Sequence, residues 1–139
     1  AKESGKIQEA NFVADYISFV IKHSKAGYGL DKLKLVIDAG NGMTPLVLKS
    51  LFEKLAIKPD RLYFEIDCSF PNHSPDISRT EALVDLKKRV VDTRADLGIA
   101  FDGDGDRVMF VDEKGEIVMA EYILALLFKD SSGFSLNQR

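Results

Sequence analysis

Asp102-Gly103-Asp104-Gly105-Asp106-Arg107 is the stretch whose residue types and spacing point most directly to chemistry. Three carboxylates alternate with glycine, and an arginine follows at once. Carboxylates crowded this closely repel one another unless a cation sits among them. Glycine has no Cβ, so the backbone can curl and turn all three side chains toward one point. Hard oxygen ligands grouped in this way suit Mg²⁺ or Ca²⁺, not zinc or copper. Arg107 adds a guanidinium that can bond two phosphate oxygens together, so metal and arginine side by side read as a phosphate clamp.

Three other readings compete. A solvated acidic turn is the plainest, since Asp and Gly are good turn residues. A plain hairpin turn, however, needs one Asp-Gly and not three acids in a row. Counted from Asp102 as an EF-hand loop, the acids fall at the first, third and fifth positions and Glu113 at the twelfth. The sixth position is then Arg107 in place of glycine, and the flanks read as strands where helices are needed. An aspartate-nucleophile phosphatase would also place Asp102 at a strand end. It would need a helix after the motif, and the sequence leaves none there.

Other residues are weaker candidates. His73 could serve as an acid or base, but a loop histidine holding backbone carbonyls is the simpler reading. Gly40-Asn41-Gly42 could cradle a phosphate at a helix start, or be a strand-to-helix turn. Asp38 ends a strand, where α/β sites cluster, though capping the turn explains it. Cys68 reads as a small packed residue.

The elements that must position these residues follow from periodicity and breakers. Phe12 to Ile21 has helical spacing, ended by Gly27 and Gly29. Leu33–Ile37 reads as a strand, and Thr44-Pro45 as an N-cap with proline at the first helical position. Leu48, Leu51, Phe52 and Leu55 form one helical stripe. Arg61–Ile66 is a strand, and the prolines of Cys68–Ser78 make that segment a loop. Ser78 or Thr80 caps a third helix with the stripe Leu83, Leu86 and Val90. Leu97–Phe101 and Val108–Val111 are strands joined too tightly for a crossover helix, so they pair as an antiparallel hairpin. Glu113–Glu116 is a turn, Tyr122 to Phe128 a last helix, and Asp130 to Arg139 a frayed tail. Strand–helix–strand repetition gives an α/β class chain: a three-layer α/β/α sandwich over a small, mostly parallel mixed sheet with one antiparallel edge strand.

Composition agrees. The 139 residues are the size of one domain, with 45% hydrophobic and 29% charged residues. Nineteen basic against 22 acidic residues give a net charge of −3, so no strongly basic face for nucleic acid is expected. No apolar run approaches the ~20 residues of a membrane helix. No signal peptide shows in Ala1–Ser18, and the lone Cys68 excludes an internal disulfide. A cytoplasmic protein is the expectation.

Ala100-Phe101-Asp102-Gly103-Asp104-Gly105-Asp106-Arg107 resembles the metal-binding loop of the α-D-phosphohexomutases, the phosphoglucomutase, phosphomannomutase and phosphoglucosamine mutase group. Val36-Ile37-Asp38-Ala39-Gly40-Asn41-Gly42-Met43, Phe70-Pro71-Asn72-His73-Ser74-Pro75-Asp76 and Ala95-Asp96-Leu97-Gly98-Ile99-Ala100 resemble other segments of its second domain, in the same order and spacing. The likeness covers about Leu33 to Leu127. It departs at Ile77, where proline is usual, and at Ser74, where a second histidine is common. The resemblance implies residues 1–32 as an N-terminal segment and linker helix, 33–129 as domain II, and 130–139 as a tail. It implies Asp102, Asp104 and Asp106 as Mg²⁺ ligands and Arg107 as a phosphate contact. It also implies that the phosphoserine loop, the sugar-recognition loop and the phosphate-binding loop lie in domains outside this chain. The parent would interconvert hexose 1-phosphate and hexose 6-phosphate through a hexose 1,6-bisphosphate, with glucose or mannose favoured by the Phe-Pro-Asn-His loop. The rival is a non-catalytic metal- or partner-binding module that has kept the acidic loop.

Overall fold

The structure is a computed structural model that describes residues 5–24 and 29–132. Helix α1 spans Val13–His23, and the Asn11 side chain accepts the Val13 N–H at its start. Gly27, expected to end it, lies outside the described residues; Gly29 opens a short 3-10 turn, Leu30–Lys32. Strand β1 (Leu35–Asp38), helix α2 (Pro45–Lys54), strand β2 (Asp60–Leu62), helix α3 (Val84–Thr93) and strand β3 (Leu97–Phe101) follow. Strands β4 (Val108–Asp112) and β5 (Ile117–Val118) and helix α4 (Ala120–Ser132) complete the described chain.

The sheet runs β2-β1-β3-β4-β5. β1 pairs in parallel with β2 and with β3, while β3–β4 and β4–β5 are antiparallel. The β3–β4 hairpin is the one expected from the short connection. β5 was not foreseen; two residues after the Glu113–Glu116 turn are too few for a periodic signal, and it sits outside β4 as the edge strand.

Pleating sends alternate side chains to opposite faces. Val36 and Ala100 face α3, where they pack with Leu83, Leu86, Val90 and Ile77. Leu35 and Ile37 face α2 and meet Leu48, Phe52 and Ile57. Each such fully buried aliphatic side chain contributes about 1.5–3 kcal/mol through removal from water. α1 lies against α2 through the buried Ile17. The layers are therefore helix, sheet, helix, as the alternation of elements predicts.

Several local expectations are corrected. β2 stops at Leu62, short of Ile66, because Tyr63 takes a left-handed conformation (φ 56°) that no strand can contain. Neither Ser78 nor Thr80 caps α3: the Ser78 N–H and hydroxyl go to Asp76, and a 3-10 turn over Thr80–Leu83 leads into the helix. Thr44 does stand before Pro45, but its hydroxyl makes no capping bond and is buried without a partner. Cys68 is exposed, not packed, since it sits in the turn after Asp67. α4 is longer than expected, and the remainder of the predicted tail, 133–139, lies outside the described residues. No described helix is long and apolar enough to cross a membrane.

Candidate metal centre

In a parallel sheet the loops leaving the carboxyl ends of neighbouring strands meet at one edge. Here β1 and β3 are neighbours, in register from Leu35 opposite Leu97 to Asp38 opposite Ala100. The loops after β1, β2 and β3 therefore share one rim. Asn41 stitches them: its N–H goes to the Tyr63 carbonyl (2.9 Å), its side-chain amide to that of Glu65 (2.8 Å), and its Oδ1 accepts from Asn72 (2.7 Å). The Met43 N–H donates to the Gly103 carbonyl at 2.9 Å. At Gly42 the approach is so close that a Cβ would lie 2.5 Å from the Gly103 oxygen. Gly40-Asn41-Gly42 is thus the strand-to-helix turn, and its glycine at 42 is a matter of space.

Asp102 is 1% exposed and acts as the hub of the acidic loop. Its Oδ1 accepts the N–H groups of Gly105 (3.0 Å) and Arg107 (3.1 Å), and its Oδ2 accepts Arg107 Nε–H (2.7 Å). The Gly105 turn has φ +80°, a conformation glycine adopts without strain. Asp104 and Asp106 stay exposed at the rim. Each of the three acids offers an oxygen, and those oxygens lie within 4.8 Å of one another. Octahedral coordination at magnesium distances spaces ligand oxygens about 3 to 4.2 Å apart, so a small inward movement suits the set to a hard divalent cation.

The charges also favour a cation. Proximity to Asp102, and then to Asp104, lifts the Asp106 carboxyl above its ordinary range. Burial works to raise Asp102, but the Arg107 N–H, its guanidinium and the neighbouring Asp106 outweigh that and hold Asp102 low. A cation would relieve the crowding that Asp106 carries.

Arg107 is anchored twice, on Asp102 and through Nη1 on Asp76 Oδ1 at 3.1 Å. Asp76 was missed as a site residue: it lies 31 positions away, and no sequence spacing signals a contact across two loops. His73 holds the Ser74 carbonyl through Nδ1 (2.8 Å), the role read from the sequence. Its Nε2 also lies 3.2 Å from both Asp38 oxygens. Asp38 caps its own turn as expected, accepting the Gly40 N–H at 2.8 Å. The hydrogen bond to Asp38, opposed by burial, raises the His73 pKa.

Known proteins share this fold and much of this sequence. A family model described as phosphoglucomutase/phosphomannomutase, alpha/beta/alpha domain II, matches residues 14–115. A phosphomannomutase/phosphoglucomutase of Pseudomonas putida is 39% identical over 126 residues, 91% of this chain and 27% of its own length. A phosphoglucomutase of Neisseria meningitidis is 32% identical over 94% of this chain and 28% of its own length. The crystal structure of a phosphoglucomutase/phosphomannomutase family protein from Burkholderia thailandensis superposes with a TM-score of 0.80 at 34% identity, covering 88% of this chain and 26% of that one. The chain thus spans about a quarter of the length of these relatives. On the matched segment, the shared fold and these identities, the chain belongs to the phosphoglucomutase/phosphomannomutase family, as its α/β/α domain II.

Proposed function

We propose that this chain is the metal-binding domain of a phosphohexomutase, with Asp102, Asp104 and Asp106 as the ligands of Mg²⁺. The parent enzyme interconverts hexose 1-phosphate and hexose 6-phosphate, glucose or mannose being favoured, through a phosphoserine and a hexose 1,6-bisphosphate. Residues 33–129 are the domain proper. The observation that carries the reading is the acidic triad with Arg107 beside it at the carboxyl end of β3.

The chemistry explains why these residues stand together. Moving a phosphoryl group between a serine and a sugar hydroxyl requires its negative charge to be met in place. When bound, Mg²⁺ supplies a Lewis acid that neutralises phosphate charge. Arg107 contributes the remaining neutralisation, since Asp102 and Asp76 occupy only part of its donor set and leave N–H groups for phosphate oxygens. Asp102 keeps that guanidinium next to the loop while staying ionised.

The phosphoserine and the sugar-binding groups belong to the other domains of the parent, which are this chain's partners. Supporting that, Tyr122, Leu124, Leu126 and Leu127 of α4 are all more than 60% exposed, a helix apolar on several sides that needs further protein around it. A cytoplasmic home fits a chain with one free, exposed cysteine. The test is a coupled mutase assay on the full-length parent polypeptide with glucose 1-phosphate and a bisphosphate activator. Turnover should disappear on Asp104→Ala, and the 139-residue chain alone should be inactive. A parent that turns over equally well with Asp104→Ala, or this chain turning over alone, would overturn the reading. A parent with no mutase activity would favour a binding module.

A further inference from the structure

The side chain of Arg107 is 55% exposed, yet two carboxylates from different loops hold it. Asp102, at the loop's own neck, takes Nε–H; Asp76, from the loop between β2 and α3, takes Nη1. An exposed arginine on a single anchor still swings about that bond, whereas two anchors on different nitrogens fix the plane of the guanidinium. We propose that Asp76 is a positioning residue, the second anchor that orients Arg107 so that its remaining N–H groups form a preset fork for phosphate. The proposal rests on reading Arg107 as the phosphate contact.

Asp76 is built to stay still. Its Oδ1 also accepts the Ser78 N–H (3.3 Å) and hydroxyl (2.7 Å), and the Ser74 hydroxyl accepts its own N–H (3.2 Å). The next residue, Ile77, is buried against Val36, Leu83 and Leu86 on the α3 face of the sheet. The same loop is tied down at His73 by the buried Asp38. Those Ser78 bonds come first in keeping the Asp76 carboxyl low, and Arg107 adds to them, so the anchor is ionised at neutral pH.

The direction of the pull matters as much as its presence. Arg107 Nε also stands 3.7 Å from Asp106 Oδ1. Without Asp76 the guanidinium would settle further among the acids of the loop and compete with a cation for them. With Asp76, part of its charge is drawn off to the side.

Two measurements test this. The first follows rotation about the Nε–Cζ bond of Arg107 by nitrogen-15 spectra of this chain. Arg89, gripped by Asp60 at 2.6 and 3.1 Å, serves as internal control. Asp76→Asn keeps an oxygen for Ser78 and leaves Arg107 Nη1 only a neutral acceptor in place of a carboxylate, at the cost of the exposed Arg79 pair at 3.5 Å, so the loop should hold its shape while the grip on Arg107 weakens. Rotation of Arg107 should quicken by about fivefold or more while Arg89 is unchanged; equal Arg107 rates in both proteins would overturn the proposal. The second uses the full-length parent in the mutase assay. Asp76→Asn should lower kcat by about 10- to 100-fold with KM within a factor of about two, as misaligned reacting groups do. Asp76→Glu should restore part of kcat, and the melting temperature should hardly move. An unchanged kcat, or a loss matched by a lower melting temperature, would overturn the proposal. A wild-type parent without mutase activity would sink the reading of the reaction, while the rotation measurement would still decide the positioning.

Discussion

Replacing His73 by alanine removes one half of a buried ion pair and should cost about 3 kcal/mol of stability. The side chains of His73 and Asp38 are 8% and 1% exposed. Nδ1 spends its proton on the Ser74 carbonyl, so Nε2 can donate to Asp38 only as the imidazolium. Below its raised pKa, His73 therefore meets Asp38 as an imidazolium–carboxylate pair. Removing one partner of such a pair typically costs about 3–5 kcal/mol, because the other charge stays buried and uncompensated. Asp38 keeps the Gly40 N–H at 2.8 Å, which places this case at the lower end. With a urea slope of about 2 kcal/mol/M, the midpoint should fall by about 1.5 M. The pH dependence gives the sharper test. The folded His73 pKa is raised, first by the Asp38 hydrogen bond against burial and then by the Ser74 carbonyl and the charges of Asp38 and Asp85. A raised folded value means the contribution is complete below the unfolded pKa of about 6.5 and fades as pH climbs through the folded value. The stability gap between wild type and His73→Ala should be widest near pH 6 and narrow toward pH 9. A gap below about 1 kcal/mol at pH 6, or one that stays constant to pH 9, would refute the ionic reading of the pair.

Two further outcomes are expected. Titrating this chain with Mg²⁺ should give amide shifts centred on Asp102–Arg107 with millimolar affinity, about 4 kcal/mol. A cation held by carboxylates without a phosphate partner binds weakly; the Asp102→Asn, Asp104→Asn double variant should lose the shifts, and shifts centred elsewhere would misplace the metal site. Gly42→Ala should destabilise the chain by about 1–3 kcal/mol in urea melts, since its Cβ would meet the Gly103 carbonyl at 2.5 Å. An unchanged midpoint would show that the two loops part without cost.

Much of this was legible before any coordinates. The stripe of Leu83, Leu86 and Val90 and the short Phe101–Val108 connection fix a helix and a hairpin by period and length alone. The acidic loop stands out by residue type, since three carboxylates so close in sequence repel one another without a cation, and the fold does bring an oxygen of each within 4.8 Å of the others. Contacts between loops were hidden. Asp76 beside Arg107, and His73 beside Asp38, join residues 31 and 35 positions apart, and the parallel pairing of β1 with both β2 and β3 makes them neighbours. Helix starts were misjudged for a related reason: a serine such as Ser78 has the right chemistry for a cap, but Asp76 had already claimed it. The break at Tyr63 carried no sequence signal, since a tyrosine in a left-handed turn looks like any strand residue.

The bonds that close the neck of the acidic loop also set a clock. The Asp102 N–H reaches the Arg107 carbonyl at 3.4 Å while the Arg107 N–H returns to Asp102 Oδ1. The entropy of closing the loop is thus met when the domain folds, and not each time an ion arrives. Slow solvent exchange of the Gly105 and Arg107 amide protons in metal-free protein is the observable mark of such a closed neck; free exchange would mean the loop opens. If the loop takes Mg²⁺ as proposed, closure is already done and the tempo of exchange would pass to the ion itself, through the reluctance of Mg²⁺ to shed its water.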